Sequence, residues 1–160
     1  MGTYKLLLDE DLGFDFQLIA IHTSLEGYHI TYLLNKVLGL NLARTPEDLA
    51  ITKEKHSVDF PLFEYVDTQK YVTYHFFNNR IKTLMQDSAQ GLFDNENAVS
   101  VSNLFINDLP KVDYLLKVYD ESNAFAKAKL IASIKSIPQV VTAYNVDIDQ
   151  LKTKQNLIFE

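Results

Sequence analysis

Hydrophobic and polar positions change along this chain in blocks short enough to be assigned one at a time. "FQLIAIHT", from Phe16 to Thr23, is a continuous apolar run of strand length, and "YKLLL", from Tyr4 to Leu8, is a shorter one. The acidic joint "DEDLGFD", with Gly13, lies between them, so the pair predicts the two strands of a hairpin. Thr23 and Glu26 then have the spacing of a capping box. Ile30, Leu33, Leu34, Val37 and Leu38 follow at i, i+3, i+4, i+7 and i+8. With Gly39 as a left-handed stop, "SLEGYHITYLLNKVLG" predicts an amphipathic helix that turns Asn35 and Lys36 outward.

Leu40, Leu42 and Arg44 of "LNLAR" recur at the strand period, and Thr45-Pro46-Glu47-Asp48 reads as a turn or a short helical start. After the polar "TKEKH", the runs "VDFPLFEYVD" and "KYVTYHFFNNR" are rich in β-branched and aromatic residues. They meet around Asp67-Thr68-Gln69-Lys70, which predicts an antiparallel hairpin, with Pro61 marking an edge or a bulge. Residues 84–104 combine weak periodicity with Gly, Asp and Asn punctuation and read as a long irregular excursion. "VDYLLKVYD" is a strand by composition. Ser122 offers a cap to a helix over "NAFAKAKLIASIKSI", with Phe125, Ala128, Ile131 and Ile134 on one face and Pro138 beyond its end. "QVVTAYNVD" returns to the strand period, and "DQLKTKQNLIFE" closes the chain as a helix or an extension held by Leu157, Ile158 and Phe159. The order ββαβββ, loop, βαβ belongs to the α+β class: a single domain over residues 1–160, with a largely antiparallel sheet and two or three helices packed on it.

Composition narrows the function. A hydrophobic fraction of 47% in 160 residues supports one ordinary core. The net charge of -6 repels a phosphate backbone at long range, and Arg44 and Arg80 are the only arginines, so nucleic acid is a disfavoured partner. The absence of cysteine excludes disulfides, thiolate catalysis and Cys-ligated metals, and fits a reducing cytosol. The three leucines near the N-terminus fall far short of a signal-peptide core or a membrane span, and Leu6 stands where a myristoylation signal has Ser or Thr. The expectation is a cytoplasmic protein with no membrane attachment.

No catalytic, metal or cofactor site is assigned. Asp9, Asp11, Gly13 and Asp15 alternate as calcium ligands do, but an EF-hand loop needs Gly at its sixth position and Glu at its twelfth, where Phe14 and Ala20 stand. A solvated turn is the simpler reading. His22, His29, His56 and His75 include no pair at the i, i+4 spacing of a helical metal site. A nucleophile elbow, a Walker A loop and a dinucleotide fingerprint are all missing. Aromatic residues crowd positions 60–77, where alternation puts Tyr74 and Phe76 on one face and Tyr71 and Phe77 on the other. Such rings can stack nucleobases, but "KYVTYHFF" lacks the glycines and basic opening of an RNP1 motif, so core packing or a protein interface is favoured.

"INDLPKVDY", Ile106 to Tyr114, resembles the signature for which the IPExxxVDY family of Bacteroidetes is named. Ile106, Asp108 and Val112-Asp113-Tyr114 match it; Asn107 stands where that family has proline, so a fixed φ is lost there, and Pro110 restores some stiffness further along. "EGYHITYLLNKVLGLNLAR" and "DIDQLKTKQNLIF" are also similar to that family, which extends the likeness over most of the chain. The resemblance implies a small cytoplasmic protein, often encoded near genes of fatty-acid synthesis and ribonuclease III, and points to no particular activity.

Asn107 and Asp108 lie where a loop enters a strand, a position at which such side chains bond backbone amides and set register. Asp113, between Val112 and Tyr114, points to water or to a partner, and Arg44 or Arg80 could pair with these carboxylates. A structural join outweighs a binding site. The reading is a non-catalytic protein-binding or scaffold module whose partner is another protein or a second copy of the chain, engaged through the aromatic hairpin and the long loop. Its candidate binding residues are Arg44, Tyr74, Phe76, Asn107, Asp108 and Asp113. The alternatives are an RNA-associated protein using the aromatic strands, and a small-molecule domain or enzyme with a carboxylate-lined pocket beside Asp108, Asp113 and Arg44.

Overall fold

The computed structural model of the protein describes residues 15–53, 56–85, 99–121 and 126–159. Its elements run β1 (Gln17–Thr23), α1 (Gly27–Leu38), β2 (Ala43–Arg44), β3 (Leu49–Lys53), β4 (His56–Phe60), β5 (Leu62–Asp67), β6 (Val72–Asn78), β7 (Arg80–Met85), β8 (Val99–Leu104), β9 (Tyr114–Asp120), α2 (Lys127–Lys135) and β10 (Val140–Asn145). Two 3-10 turns follow, Ile148–Gln150 and Lys154–Leu157. Six strands form one antiparallel sheet in the order β10-β1-β9-β6-β5-β2, and the pairs β3-β4 and β7-β8 are separate hairpins. The α+β class read from the sequence is the class of the fold.

Both faces of the large sheet are covered, which is why its central strands are continuously apolar rather than alternating. On one face α1 and α2 bury Ile30, Leu34, Leu130 and Ile134 against Ile19, Ile21, Phe76, Leu116 and Val118. On the other face Leu18, Phe77 and Leu115 pack against Phe60, Phe105, Ile106 and Leu157, supplied by the hairpins, the loop before β9 and the C-terminal segment. Lys53 donates from Nζ to the Leu104 carbonyl at 2.9 Å, tying one hairpin to the other.

β9 and β10 occupy the two edges of β1, so β1 has no edge left for the hairpin expected with residues 4–8. That segment, with the acidic joint up to residue 14, lies outside the described residues. The helix over Gly27–Leu38 starts later than the periodicity suggested, and the capping box does not form. Glu26 is the N-cap residue without a side-chain bond, while Thr23 still belongs to β1: its hydroxyl accepts from Leu25 N–H at 3.2 Å and donates to the Gln139 carbonyl at 2.9 Å. Gly39 does end the helix, at φ 67°. Asn35 does not face solvent, because its amide bonds both backbone groups of Leu42, at 2.9 and 3.1 Å, and turns the chain back toward the sheet. Val37, expected in the apolar stripe, is exposed.

Pro61 divides "VDFPLFEYVD" into β4 and β5, which join different sheets, as a residue without an N–H does when it interrupts a ladder. The hairpin of β5 and β6 forms as expected. Asp67 Oδ1 accepts from Gln69 and Lys70 N–H, each at 3.1 Å, and Tyr71 takes φ 58° in its turn. "LNLAR" contributes only Ala43–Arg44 to the sheet. The supposed excursion over 84–104 contains β8, whose "VSVSNL" alternates as a strand should and pairs with β7. Residues 86–98, and the Ser122 and Phe125 expected to open the second helix, lie outside the described residues. In α2 the buried positions are Leu130 and Ile134, with Ile131 partly covered and Ala128 exposed. The C-terminus is two 3-10 turns rather than a helix, held by buried Leu151 and Leu157. No helix among the described residues is long and apolar enough to cross a membrane.

Candidate functional site

The loop between β8 and β9 is organised by Asn79, a fully buried residue between β6 and β7. Its Nδ2 donates to the carbonyls of Leu109 (2.8 Å) and Val112 (3.0 Å), and its Oδ1 accepts from Ile106 N–H at 2.8 Å. Its own N–H donates to the Asp113 carbonyl (2.9 Å) and its carbonyl accepts from Phe105 N–H (2.7 Å). One side chain thus satisfies a stretch of buried backbone that has no ladder of its own. Ile106 is wholly buried, and Asn107 is exposed.

The acids of the same loop act on distant backbone. Asp108 accepts from the N–H groups of Lys152 and of Thr153, the latter at 3.3 Å, and so anchors the C-terminal segment. Asp113 accepts from Thr23 N–H at 3.0 Å through Oδ2 and from Arg80 Nη2 at 2.6 Å through Oδ1. The Tyr114 hydroxyl donates to the Leu25 carbonyl at 2.6 Å; burial, reinforced by Asp113, pushes its ionisation up to about 12. Arg44 is committed elsewhere, to Asp48 at 2.6 Å, with its guanidinium 6.0 Å from the Phe63 ring. Asp108, Asp113 and Arg44 therefore have separate partners rather than one shared site.

Tyr74 and Phe76, 7% and 1% exposed, point into the helix-side core, where Tyr74 stacks on Tyr65 and Phe76 on Tyr114 with centroids 6.0 and 5.2 Å apart. Phe77 is buried on the opposite face, and Tyr71 is exposed in its turn. The buried rings of this hairpin hold the two cores to the sheet, with Phe63 and Tyr65 partly covered. Burial, with Asp67 next, raises the pKa of Tyr74. It lines a cavity of about 630 Å³ between the end of α1 and α2, whose rim at Ala126 adjoins residues outside the described set.

The densest chemistry lies on the other face, around a residue that the strand pattern did not single out. Lys117 stands in the middle of β9, 8% exposed, with a charge in the run "YLLKVYD" as its only sequence signal. Its Nζ donates to the Leu157 carbonyl at 2.7 Å and sits 4.5 and 4.3 Å from the ring centroids of Phe16 and Phe159. Desolvation lowers its pKa to about 8. His75 faces it across the strand pair, and Glu64 faces His75 on the next strand. His75 Nε2 lies 2.8 Å from Glu64 Oε2. Burial lowers the pKa of His75 against the opposing effect of its hydrogen bond to the Glu64 carboxylate, and the net lowering favours the neutral ring at neutral pH. The proton then sits on Nε2, directed at the carboxylate, and Nδ1 is left buried with a lone pair and no hydrogen-bond partner. A cavity of about 280 Å³ opens beside Lys117 and His75, bounded also by Asp15, Thr73, Tyr119 and Phe159.

No group of three or more His, Asp or Glu among the described residues could hold a metal ion. No protein family, curated protein or solved structure matches the chain.

Proposed function

We propose that this protein is a cytoplasmic, non-catalytic protein-binding module of the IPExxxVDY family, and that its partner is a second copy of itself added along β10. The observation that carries this reading is the outer edge of that strand. Of the two ends of the sheet, β2 is two residues long and carries the Arg44–Asp48 pair, a blunted edge. β10 is six residues, "VVTAYN", with no charge and no proline, and among the described residues no strand lies on its far side. Val141 is 81% exposed and Tyr144 also reaches solvent, its hydroxyl 3.0 Å from His22 Nε2.

Sheet edges of monomers are usually guarded by charge, proline or a bulge, since unpaired N–H and C=O groups template another strand; β10 has neither charge nor proline, and the one shift in its register on β1 falls at Val141, leaving Thr142 to Asn145 in regular pairing. A two-fold pairing of β10 with its own copy sets identical segments antiparallel, and a charged residue near the axis would meet its like. β10 has none to meet. The placement in the cytoplasm rests on the absence of cysteine and on the family resemblance. The family reading rests on the sequence resemblance alone; in the fold, Ile106 is buried and Asp108, Asp113 and Tyr114 each tie down part of the backbone.

Sedimentation velocity of the full chain across a wide concentration range tests the proposal. A concentration-dependent dimer that becomes a monomer in Val141→Lys supports it. A monomer at every concentration, or a dimer indifferent to Val141→Lys and Tyr144→Lys, overturns it.

A further inference from the structure

We propose that the cavity beside Lys117 is a ligand site, and that it captures a small neutral aldehyde or hydroxyketone reversibly as an imine on Nζ. This site lies on the face of the sheet turned away from the helices and does not depend on pairing at β10.

The geometry supplies what imine formation requires. The nucleophile is a largely buried amine at the wall of an open, mostly apolar cleft, with Phe16 and Phe159 on two sides of it. Among the described residues its hydrogen bond goes to the Leu157 carbonyl and uses an N–H, so the lone pair of the neutral amine is left for the carbonyl carbon. With a pKa of about 8, about a tenth of Lys117 is neutral at pH 7, whereas an ordinary lysine is less than about a thousandth neutral. Directly across the strand pair, His75 is 9% exposed and lines the same cavity, and its unengaged Nδ1 lone pair is an acceptor that a hydroxyl of the bound ligand can satisfy.

In the first step the nitrogen lone pair adds to the carbonyl carbon, the carbonyl π pair moves to oxygen, and a proton passes from nitrogen to that oxygen to give a carbinolamine. In the second the nitrogen pair forms the second C–N bond as the C–O bond breaks, and the departing hydroxyl leaves as water with the remaining N–H proton; the overall change is amine plus carbonyl to imine plus water, with no oxidant or reductant. Thr73 and Tyr119 offer hydroxyl partners to a hydroxylated ligand, while Asp15 on the same wall repels an anion. The volume of about 280 Å³ suits a molecule of a few carbons, not a peptide side chain with its backbone.

The test uses the full chain, glycolaldehyde as probe, and cyanoborohydride to fix any imine, followed by peptide mapping. The expected result is labelling of Lys117 at pH 7 at least tenfold faster than the other lysines, rising with pH to a half-maximum near 8, and lost in Lys117→Arg. The N-terminal amine, which ordinarily titrates near about 8, serves as the internal standard. Labelling of Lys117 no faster than the remaining lysines overturns the site. Faster labelling by glyoxylate, an anionic aldehyde, overturns the assignment of a neutral ligand. Because mapping is done on the unaltered protein, the result stands whether or not the variant folds.

Discussion

The carboxylate of Asp113 accepts the N–H of Thr23 at 3.0 Å across 90 residues of chain, and this bond closes the end of β1 onto the start of β9. Thr23 is buried, so its donor has no water to turn to when Asp113 is removed. Asp113→Ala should lower unfolding free energy by about 1–3 kcal/mol, the cost of one orphaned buried donor plus a lost arginine contact. Asp113→Asn keeps an acceptor and should cost less. Urea unfolding of the two variants measures the difference; equal losses would mean that the Arg80 pair, not the Thr23 bond, carries the effect.

Asn79 is the stricter case. Its side chain bonds three backbone groups of the loop before β9, of which the Leu109 carbonyl also accepts from Val112 N–H at 3.2 Å. Asn79→Ala should cost about 3 kcal/mol or more, since several buried groups lose partners together. Asn79→Asp preserves the bond from Ile106 N–H but aims an acceptor at the Leu109 and Val112 carbonyls, and should be no better. Hydrogen exchange in residues 105–113 should rise in both variants ahead of the sheet; uniform exchange across the protein would contradict a local role.

The division of labour at this loop was legible in outline. Short polar residues at a strand entrance predicted backbone bonding, and Asp108 and Asp113 do bond backbone amides. Which amides they reach was not, because Thr23, Lys152 and Thr153 are distant in sequence and a single chain carries no pairing information. The strand content was under-read for a related reason: "VSVSNL" alternates, but its polar serines and the neighbouring punctuation resemble loop composition, and only the pairing with β7 makes it a strand. The aromatic hairpin read correctly as a hairpin. Period-2 alternation put its rings on two faces, yet says nothing of whether either face is covered, and here both are. Lys117 offered the sharpest unused signal, a charge in the middle of the apolar run of β9, where a buried lysine needs an explanation that propensity does not give.

Lys117 also gives the protein an alkaline signature. Its pKa falls from 10.5 in the unfolded reference to about 8 on folding, so between those values the unfolded chain binds more protons than the folded one. Stability should therefore rise with pH from about 8 to 10.5, and the part due to Lys117 should be lost as pH falls through 8, a contribution on the order of 2–3 kcal/mol. Tyr114 works in the opposite sense at higher pH. Its folded pKa is raised from 10.0 to about 12, so its contribution is lost above pH 10. Unfolding curves of the unaltered chain and of Lys117→Met, taken from pH 7 to 11, separate the two. The unaltered chain should gain stability relative to Lys117→Met between pH 8 and 10.5 and then level; a difference that does not change with pH would mean that the amine is as well solvated folded as unfolded.

Self-association through β10 should depend on salt in a direction opposite to that of a complex held by ion pairs. Each chain carries a net charge of -6, so two copies repel at long range, while the proposed contact is an uncharged strand with no ionic bonds to screen. Raising ionic strength shortens the Debye length from about 30 Å at 0.01 M to about 8 Å at 0.15 M, which removes repulsion without weakening the strand pairing. The dimer dissociation constant should fall several-fold over that range. Val141→Lys adds one charge near its own copy at a position exposed in the monomer, so it should abolish the dimer while leaving the monomer's unfolding free energy within about 0.5 kcal/mol. Val141→Thr, which keeps strand propensity without charge, should retain it. Sedimentation at the two salt concentrations and thermal unfolding of the three proteins make the comparison, and a dimer that weakens as salt is added would place the contact on charged surface rather than on β10.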